Sequence, residues 1–187
     1  NSTGYACGGK PVNEYYSLQF LYYTNDAGVN WIRIYMNAAA FTYMQYNDVF
    51  PINSSVYLAS SGYSVFNSAG SLIVSQNNGT NFTPYFSSNE SIEKFSFINS
   101  QTGWYSSTFF TDLDISQRKI YKTTNSGINW SMQYRDSTRE VNWFGLDFEL
   151  QFVNLNTGYG LYKRPGVVKF VKTSNSGTTW DSISLPY

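Results

Sequence analysis

Hydrophobic and polar residues alternate along several short segments of the chain. The clearest case is Phe148-Glu149-Leu150-Gln151-Phe152, and the run Phe95-Ser96-Phe97-Ile98 is similar. A period of two residues, with aromatic side chains on the apolar side, predicts β-strands that bury one face. The most helix-like stretch, Met36-Asn37-Ala38-Ala39-Ala40, is too short to form a helix alone. The pattern therefore predicts an all-β protein.

A pattern of eight residues recurs four times along the chain. Each copy reads hydroxyl residue, any residue, Asp or Asn, any residue, Gly, any residue, Asn or Thr, aromatic residue. The closing aromatic residues lie 51, 48 and 50 positions apart, which sets a repeat of about fifty residues. The third, fifth and eighth positions of the four copies are Asp26, Gly28, Trp31, Asn77, Gly79, Phe82, Asn125, Gly127, Trp130, Asn175, Gly177 and Trp180.

This repeated pattern predicts a structural turn followed by a buried aromatic residue. The Asp or Asn side chain can accept a backbone N–H two residues further on, and the glycine supplies a positive φ. The leading Ser or Thr can hydrogen-bond across the hairpin. Three of the four copies carry Asn in place of Asp, which a structural acceptor tolerates better than a catalytic or metal-binding acid would. We therefore predict a structural role for these positions.

A second element, Thr-Gly-aromatic, recurs with the first. It stands at Thr3-Gly4-Tyr5, Thr102-Gly103-Trp104 and Thr157-Gly158-Tyr159, with Ser54-Ser55-Val56 as a degraded copy. Each repeat then reads strand, Thr-Gly turn, strand, variable loop, strand, Asn-x-Gly turn, strand.

Four antiparallel strands within about fifty residues are typical of one blade of a β-propeller. We predict a single domain over 1–187, with blades over about 1–40, 41–88, 89–140 and 141–187. The four blades either close into a four-bladed propeller or form an arc of a larger one.

The repeats resemble the Asp-box (BNR) motif, S-x-D-x-G-x-T-W, and its relative in photosystem II assembly factor-like propellers. That relative pairs F-x-N-x-x-T-G-[YW] with K-T-[TS]-[ND]-x-G-x-x-W. Matching segments here are Phe97 to Trp104 with Lys122 to Trp130, and Phe152 to Tyr159 with Lys172 to Trp180. The resemblance covers nearly the whole chain and implies a β-propeller. It leaves the function open, because such repeats occur in sialidases, xyloglucanases, sorting receptors, assembly factors and secreted bacterial proteins.

The first repeat starts at its Thr-Gly turn, without the leading strand that the other repeats have. We therefore expect an open strand edge in the first blade, and open edges are covered or used for binding. Residues before Asn1 could supply the strand, a neighbouring chain could supply it by strand addition, or the chain could be an arc of a larger propeller.

Composition narrows the chemistry. The 187 residues include 12 basic and 12 acidic residues, one cysteine and no histidine. Balanced charge argues against a nucleic-acid partner, and the lack of histidine removes Ser-His-Asp catalysis and His-ligated zinc. No apolar stretch approaches the roughly 18 residues that would span a bilayer. We expect no cofactor, no metal and no membrane span.

The acidic and basic residues do not suggest an active site. A glycosidase needs two carboxylates that face one bond, and the close pairs Asp112/Asp114 and Glu90/Glu93 stand in polar loop contexts. The arginines are scattered, whereas the sialidases among the resembled proteins use an arginine cluster. We therefore expect no catalytic residue.

Aromatic residues on irregular loops are candidates for partner contact, because anchors in protein interfaces are rich in aromatic residues and arginine. The alternative is that they cover the core. The candidates are Phe109, Phe110, Trp143, Phe144 and Arg164.

These observations predict a non-catalytic, secreted β-propeller, bacterial in origin, that acts as an interaction or assembly module at the cell surface. Its partner would be another protein or a second copy of itself, with self-association through the open edge giving a filament. The alternative is a glycan-binding propeller, or a fragment of a sialidase-like or xyloglucanase-like glycoside hydrolase.

Overall fold

The computed structural model describes residues 2–13, 17–39, 45–63, 68–110, 115–135, 140–141, 148–164 and 167–184. Every regular element within these residues is a β-strand. The chain divides into two compact units, Asn1–Ile92 and Glu93–Tyr187. The prediction of a single domain over the whole chain stays a prediction.

The first unit contains two antiparallel sheets whose strands follow the chain order. Blade 1 has three strands: β1 (Gly4–Pro11), β2 (Ser17–Thr24) and β3 (Ile32–Ala39). Blade 2 has four: β4 (Gln45–Ile52), β5 (Ser55–Tyr63), β6 (Ser68–Ser75) and β7 (Thr83–Ser88).

The second unit repeats this arrangement. Blade 3 contains β8 (Ser91–Phe97), whose first residues fall at the unit boundary, β9 (Gly103–Phe110), β10 (Ile115–Thr123) and β11 (Ser131–Arg135); the short β12 (Glu140–Val141) also pairs with β10. Blade 4 contains β13 (Phe148–Phe152), β14 (Gly158–Arg164), β15 (Val167–Thr173) and β16 (Asp181–Ile183). The all-β class and the four blades are confirmed.

The apolar core of each unit lies between its two blades. In the first unit the buried cluster is Leu21, Tyr46, Leu58 and Ile73, with Tyr5 and Phe82 packed against it. In the second unit the buried cluster is Trp104, Ile120, Phe148, Leu150 and Phe152, with Trp180 packed against it. The apolar positions of the alternating segment, Phe148, Leu150 and Phe152, are therefore buried as predicted.

The Thr-Gly glycines of blades 3 and 4 are required because an aromatic ring lies directly on them. Phe152, the last residue of β13, is the cross-strand partner of Gly158. A Cβ atom on Gly158 would lie 2.9 Å from the Phe152 ring, and one on Gly103 would lie 2.4 Å from the Phe97 ring. Both distances are too short for a real carbon contact, so each leading-strand phenylalanine needs a glycine beneath it.

Blade 2 departs from the predicted alignment by one residue. Val56 pairs with Ser75 as Gly103 pairs with Thr123, so Val56 takes the glycine position and Tyr57 the aromatic one. The cross-strand partner of Val56 is Pro51 rather than a phenylalanine. A branched side chain therefore stands where blades 3 and 4 have glycine, and the prediction that placed Val56 at the aromatic position is wrong.

We predict that Gly158→Ala lowers the free energy of unfolding by about 1–3 kcal/mol, because the added methyl group overpacks the site that the Phe152 ring fills. Urea denaturation measures the change. Gly8→Ala is the matched control, since a Cβ there has no neighbour within 4 Å. Equal stability changes in the two variants would contradict the account of the Thr-Gly element.

Candidate functional site

Each repeated turn is closed by its own side chains. In blade 3 the Thr123 hydroxyl accepts the Gly127 N–H at 2.9 Å and donates to Asn125 Oδ1 at 3.0 Å. Asn125 Oδ1 also accepts the backbone N–H of Asn129 at 2.9 Å. The acceptor thus serves an N–H four residues on, not two as predicted. The leading hydroxyl bonds within the turn, not across the hairpin.

The other three turns have the same bonds. The leading hydroxyl accepts the glycine N–H at 3.0 Å in the first copy, 2.8 Å in the second and 2.9 Å in the fourth. The Asp or Asn oxygen accepts the later N–H at 2.9, 3.0 and 2.9 Å in the same copies. This agreement supports a structural role for the box residues.

Two consecutive residues of each turn have positive φ. The glycines have φ between 81° and 89°, as predicted, and the residues before them, Ala27, Asn78, Ser126 and Ser176, have φ between 56° and 62°. The residue before the glycine donates its backbone N–H to a carbonyl of the Thr-Gly turn. Examples are Ser126 to Gln101 at 2.9 Å and Ser176 to Asn156 at 3.0 Å. The two sequence elements are therefore hydrogen-bonded to each other, which the sequence did not indicate.

The closing aromatic residues differ between blades. The Trp130 ring packs on Phe95 and Phe97, with centroids 6.4 and 6.0 Å away. The Trp180 ring packs on Phe148 and Phe152 at 6.2 and 5.9 Å. In the first copy Trp31 is 45% exposed, so the prediction of a buried closing aromatic residue is wrong for this copy.

Both carboxylate oxygens of the acidic box residue, Asp26, accept hydrogen bonds from residues of its own turn. The backbone N–H of Asn30, then the Thr24 hydroxyl and the Asn30 side chain, hydrogen-bond to this carboxylate and lower its pKa from 3.8 to about 2. A carboxylate with so low a pKa cannot serve as a general acid near neutral pH.

In blades 1 and 3, the aromatic residue that follows the Thr-Gly glycine hydrogen-bonds to the repeated turn of the next blade in the same unit. Trp104 Nε1 donates to Ser176 O at 2.9 Å, and the Tyr5 hydroxyl donates to Asn78 O at 3.2 Å. The Trp104 ring also stacks on Phe152, with centroids 3.6 Å apart and planes within 6°. Trp104 is completely buried, whereas its equivalent in blade 4, Tyr159, is 43% exposed.

Tyr159 belongs to a group of partly exposed side chains on one side of blade 4, which we name the Tyr159 face. The strand register places Tyr159 beside Lys172 and Leu161 beside Phe170 on one side of β14 and β15, with Val168 continuing it. Val168 is 63% and Phe170 36% exposed. The Lys172 ammonium lies 6.0 Å from the centre of the Tyr159 ring.

The predicted partner-contact residues are only partly described. Phe109 is half-buried near the end of β9, with Lys119 Nζ 5.1 Å from its ring centre. The side chains of Phe110 and Arg164, and the whole of Trp143 and Phe144, lie outside the described parts. Their role stays a prediction.

The structure places one charged residue where the sequence did not suggest it. Arg118, treated above as one of the scattered arginines, is 5% exposed in β10, opposite Thr108 of β9. It stands two positions before the buried Ile120, so strand alternation was the signal that could have predicted its burial.

The pair Asp112/Asp114 lies outside the described residues. Among the described residues, no group of three His, Cys, Asp or Glu side chains could hold a metal ion.

The described residues contain no helix that is long and apolar enough to cross a membrane.

No family model matches the sequence, and no curated protein matches it. Solved structures do match the fold. A sialidase from Trypanosoma rangeli has a TM-score of 0.65 at 13% identity, over 97% of this chain and 35% of its own. The GH74 xyloglucanase from Xanthomonas campestris has a TM-score of 0.55 at 11% identity, over 90% of this chain and 28% of its own. An α-L-arabinofuranosidase from Fusarium graminearum has a TM-score of 0.57 at 11% identity, over 98% of this chain and 72% of its own.

These similarities show the β-propeller fold and nothing of the chemistry. The chain spans about a third of the length of the sialidase and of the xyloglucanase. Identity of 11–13% is too low to carry residues across. The resemblance to Asp-box propellers agrees with these neighbours.

We predict that Asp26 makes stability depend on pH in the acid range. Its pKa in the folded protein is about 2, below the unfolded value near 3.8. The stabilisation is therefore fully present above the unfolded value and is lost as the pH falls toward 2. Asp26→Asn keeps the turn's acceptor without the titration, as in the other three copies. The carboxyl titrates between about pH 6 and about pH 2.5. Over this range we expect the melting temperature of the wild type to fall relative to that of Asp26→Asn. A constant difference would contradict this role.

Proposed function

We propose that this chain is a non-catalytic protein-interaction module that self-associates through the Tyr159 face. The observation that carries the proposal is the exposure of positions in blade 4 that are buried in the other blades. The position three residues before the leading hydroxyl of each repeated turn is at most 1% exposed in blades 1 to 3, where it is Leu21, Leu72 and Ile120. In blade 4 this position is Phe170, which is 36% exposed.

Within each unit, the equivalent face is covered by the next blade. In blade 1 this face carries Tyr5 and Leu21, which pack with Tyr46 and Ile73 of blade 2. In blade 3 it carries Trp104 and Ile120, which pack with residues of blade 4. The Tyr159 face has the same kinds of side chain, so a further blade is the surface that fits it.

We propose blade 1 of a second copy as the blade that covers the Tyr159 face. On the side of blade 1 away from Tyr5 and Leu21, the register places Ala6 beside Tyr22 and Tyr22 beside Arg33. Ala6 and Arg33 are exposed. Contact between the Tyr159 face of one copy and this side of another is head-to-tail, and a head-to-tail contact that does not close gives a filament.

The non-catalytic part of the proposal rests on the sequence and on the box residues. The chain has no histidine, and the box carboxylate Asp26 is fully engaged in its turn. Location at the bacterial cell surface or outside the cell is proposed from the low charged fraction of 13% and from the resemblance to secreted Asp-box repeats. A closer kinship with assembly factor-like propellers is proposed from the phenylalanine, Thr-Gly and lysine positions they share.

Sedimentation velocity over a range of protein concentrations tests self-association. We expect the wild type to associate, and the double variant Tyr159→Ser/Phe170→Ser to associate at least about tenfold more weakly, ~1.4 kcal/mol. The matched control is Ile128→Ser/Met132→Ser, which removes two side chains of blade 3 that are 67% and 51% exposed. A wild type that stays monomeric throughout would contradict the proposal.

A second candidate function is glycan binding by the same face. Tyr159 and Phe170 are exposed aromatic residues on one side of a sheet, and the apolar face of a sugar ring can stack on such rings. The similar structures named above are a sialidase, a xyloglucanase and an arabinofuranosidase. Retention of the monomer in polysaccharide affinity electrophoresis, lost in Tyr159→Ser/Phe170→Ser, would favour this candidate over self-association.

A further inference from the structure

The turns that follow the leading strands of blades 3 and 4 line one cavity of the second unit. Residues 98–99 of blade 3 and residues 153–157 of blade 4 form its lining. Its volume is about 680 Å³, and sites for small ligands typically have ~300–1,000 Å³. The cavity and the Tyr159 face have no residue in common, so the cavity is a further surface on which a ligand could bind.

Each of these two turns is fixed by an asparagine side chain. In blade 3, Asn99 Oδ1 accepts the backbone N–H groups of Gln101 and Thr102 at 2.9 and 2.7 Å. In blade 4, Asn154 Oδ1 accepts the N–H groups of the residues two and three places on, at 2.9 and 2.8 Å. Within the described parts of the chain neither Nδ2 group has a partner. The two side-chain amides are therefore held in place by their oxygens and are left with hydrogen-bond donors to offer.

Both turns are also anchored to the repeated turn of their own blade. In blade 4, Ser176 donates its backbone N–H to the Asn156 carbonyl at 3.0 Å and its hydroxyl to the Leu155 carbonyl. In blade 3, the Ser126 N–H donates to the Gln101 carbonyl at 2.9 Å. Because both turns are fixed by the fold itself, a ligand does not have to order them, and this preorganisation favours affinity.

Aliphatic side chains also line the cavity. Val153 is 57% and Leu155 51% exposed, and Ile98 is half-buried. The turn does not need the side chain of Leu155, because the equivalent residue of blade 3 is Ser100 and the asparagine there makes the same two bonds. Turn positions usually carry small polar residues or glycine. An exposed leucine here, beside an exposed valine, therefore indicates contact with an apolar group outside the turn.

The chemistry of the lining favours one class of ligand. Among the described residues that line the cavity, none is charged and none is aromatic. An ionised ligand would lose hydration without gaining a counter-charge, which is costly, and a sugar ring would find no aromatic ring to stack on. Amide donors beside aliphatic side chains instead match a peptide segment, because its backbone carbonyl groups are strong acceptors and its side chains can be apolar.

We propose that this cavity binds an uncharged peptide segment with aliphatic side chains. The Nδ2 groups of Asn99 and Asn154 donate to backbone carbonyl groups of the segment, and its aliphatic side chains pack on Val153 and Leu155. This binding site goes beyond the proposed self-association and does not depend on it.

The test is a titration of the isotope-labelled full chain with a capped tetrapeptide of alternating leucine and serine, followed by nuclear magnetic resonance. We expect saturable shifts of the backbone amide signals of residues 98–99 and 153–157. The same peptide with alanine in place of leucine should bind at least about tenfold more weakly, because it buries less aliphatic surface.

Replacement of an asparagine by aspartate separates binding from folding. Asn99→Asp and Asn154→Asp keep the oxygen that accepts the turn's N–H groups but lose the Nδ2 donor. Each should weaken peptide binding at least about tenfold with little change in melting temperature. Asn125→Asp is the matched control, because Asn125 is also a turn acceptor but does not line the cavity. We expect this control to bind the peptide as the wild type does.

The outcomes are distinguishable from those of the self-association experiment. Absence of saturable shifts, or equal weakening by Asn125→Asp and Asn154→Asp, would overturn the proposal even if the Tyr159 face mediates self-association. Saturable shifts of the same signals with cellohexaose, and none with the peptide, would overturn the assignment of a peptide ligand. Unchanged peptide binding by Tyr159→Ser/Phe170→Ser would support the proposal whatever the oligomeric state of the wild type.

Discussion

The close approach of a phenylalanine ring to a glycine backbone is the constraint on which the second unit depends. Phe152 lies between the backbone of Gly158 and the Trp104 ring, 3.6 Å away between centroids. Any side chain at Gly158 would displace that ring from its stack. The glycine therefore leaves room for the ring and, through the ring, for the packing of blade 3 on blade 4.

The repeated turn extends this packing by hydrogen bonds. The Ser176 N–H donates to Asn156 within blade 4, and the Ser176 carbonyl accepts the Trp104 indole N–H from blade 3. One residue of the turn thus connects the Thr-Gly turn of its own blade to the neighbouring blade. Because the polar groups of the turn are engaged in this way, they hold the two blades of the second unit together.

Much of the fold could be predicted from the sequence because the signals were local and repeated. Strand alternation, the fifty-residue period and the turn glycines all depend on neighbours within a few residues. The pairing of Val56 was predicted wrongly because the shorter turn of blade 2 shifts the register by one residue. The positive φ of Ser126 could not be predicted, since it depends on a hydrogen bond to Gln101 in another turn.

The candidate site could not be predicted for a related reason. Phe170 and Ile120 occupy the same position of the repeat and are both apolar, so sequence alone cannot indicate that one is exposed and the other buried. Exposure depends on whether a neighbouring blade covers the face. Strand alternation places Arg118 on the same side of its strand as the buried Ile120. A charged residue in a strand is, however, ordinarily assigned to the solvent side.

The ring stack itself is tested most directly by a double-mutant cycle on Trp104 and Phe152, each replaced by leucine singly and together, with the free energy of unfolding measured in urea. The account predicts a coupling free energy of about 0.5–1.5 kcal/mol between the two rings, the range for a direct aromatic pair. Additive effects of the two substitutions would contradict it, because the rings would then not act as one contact between the blades.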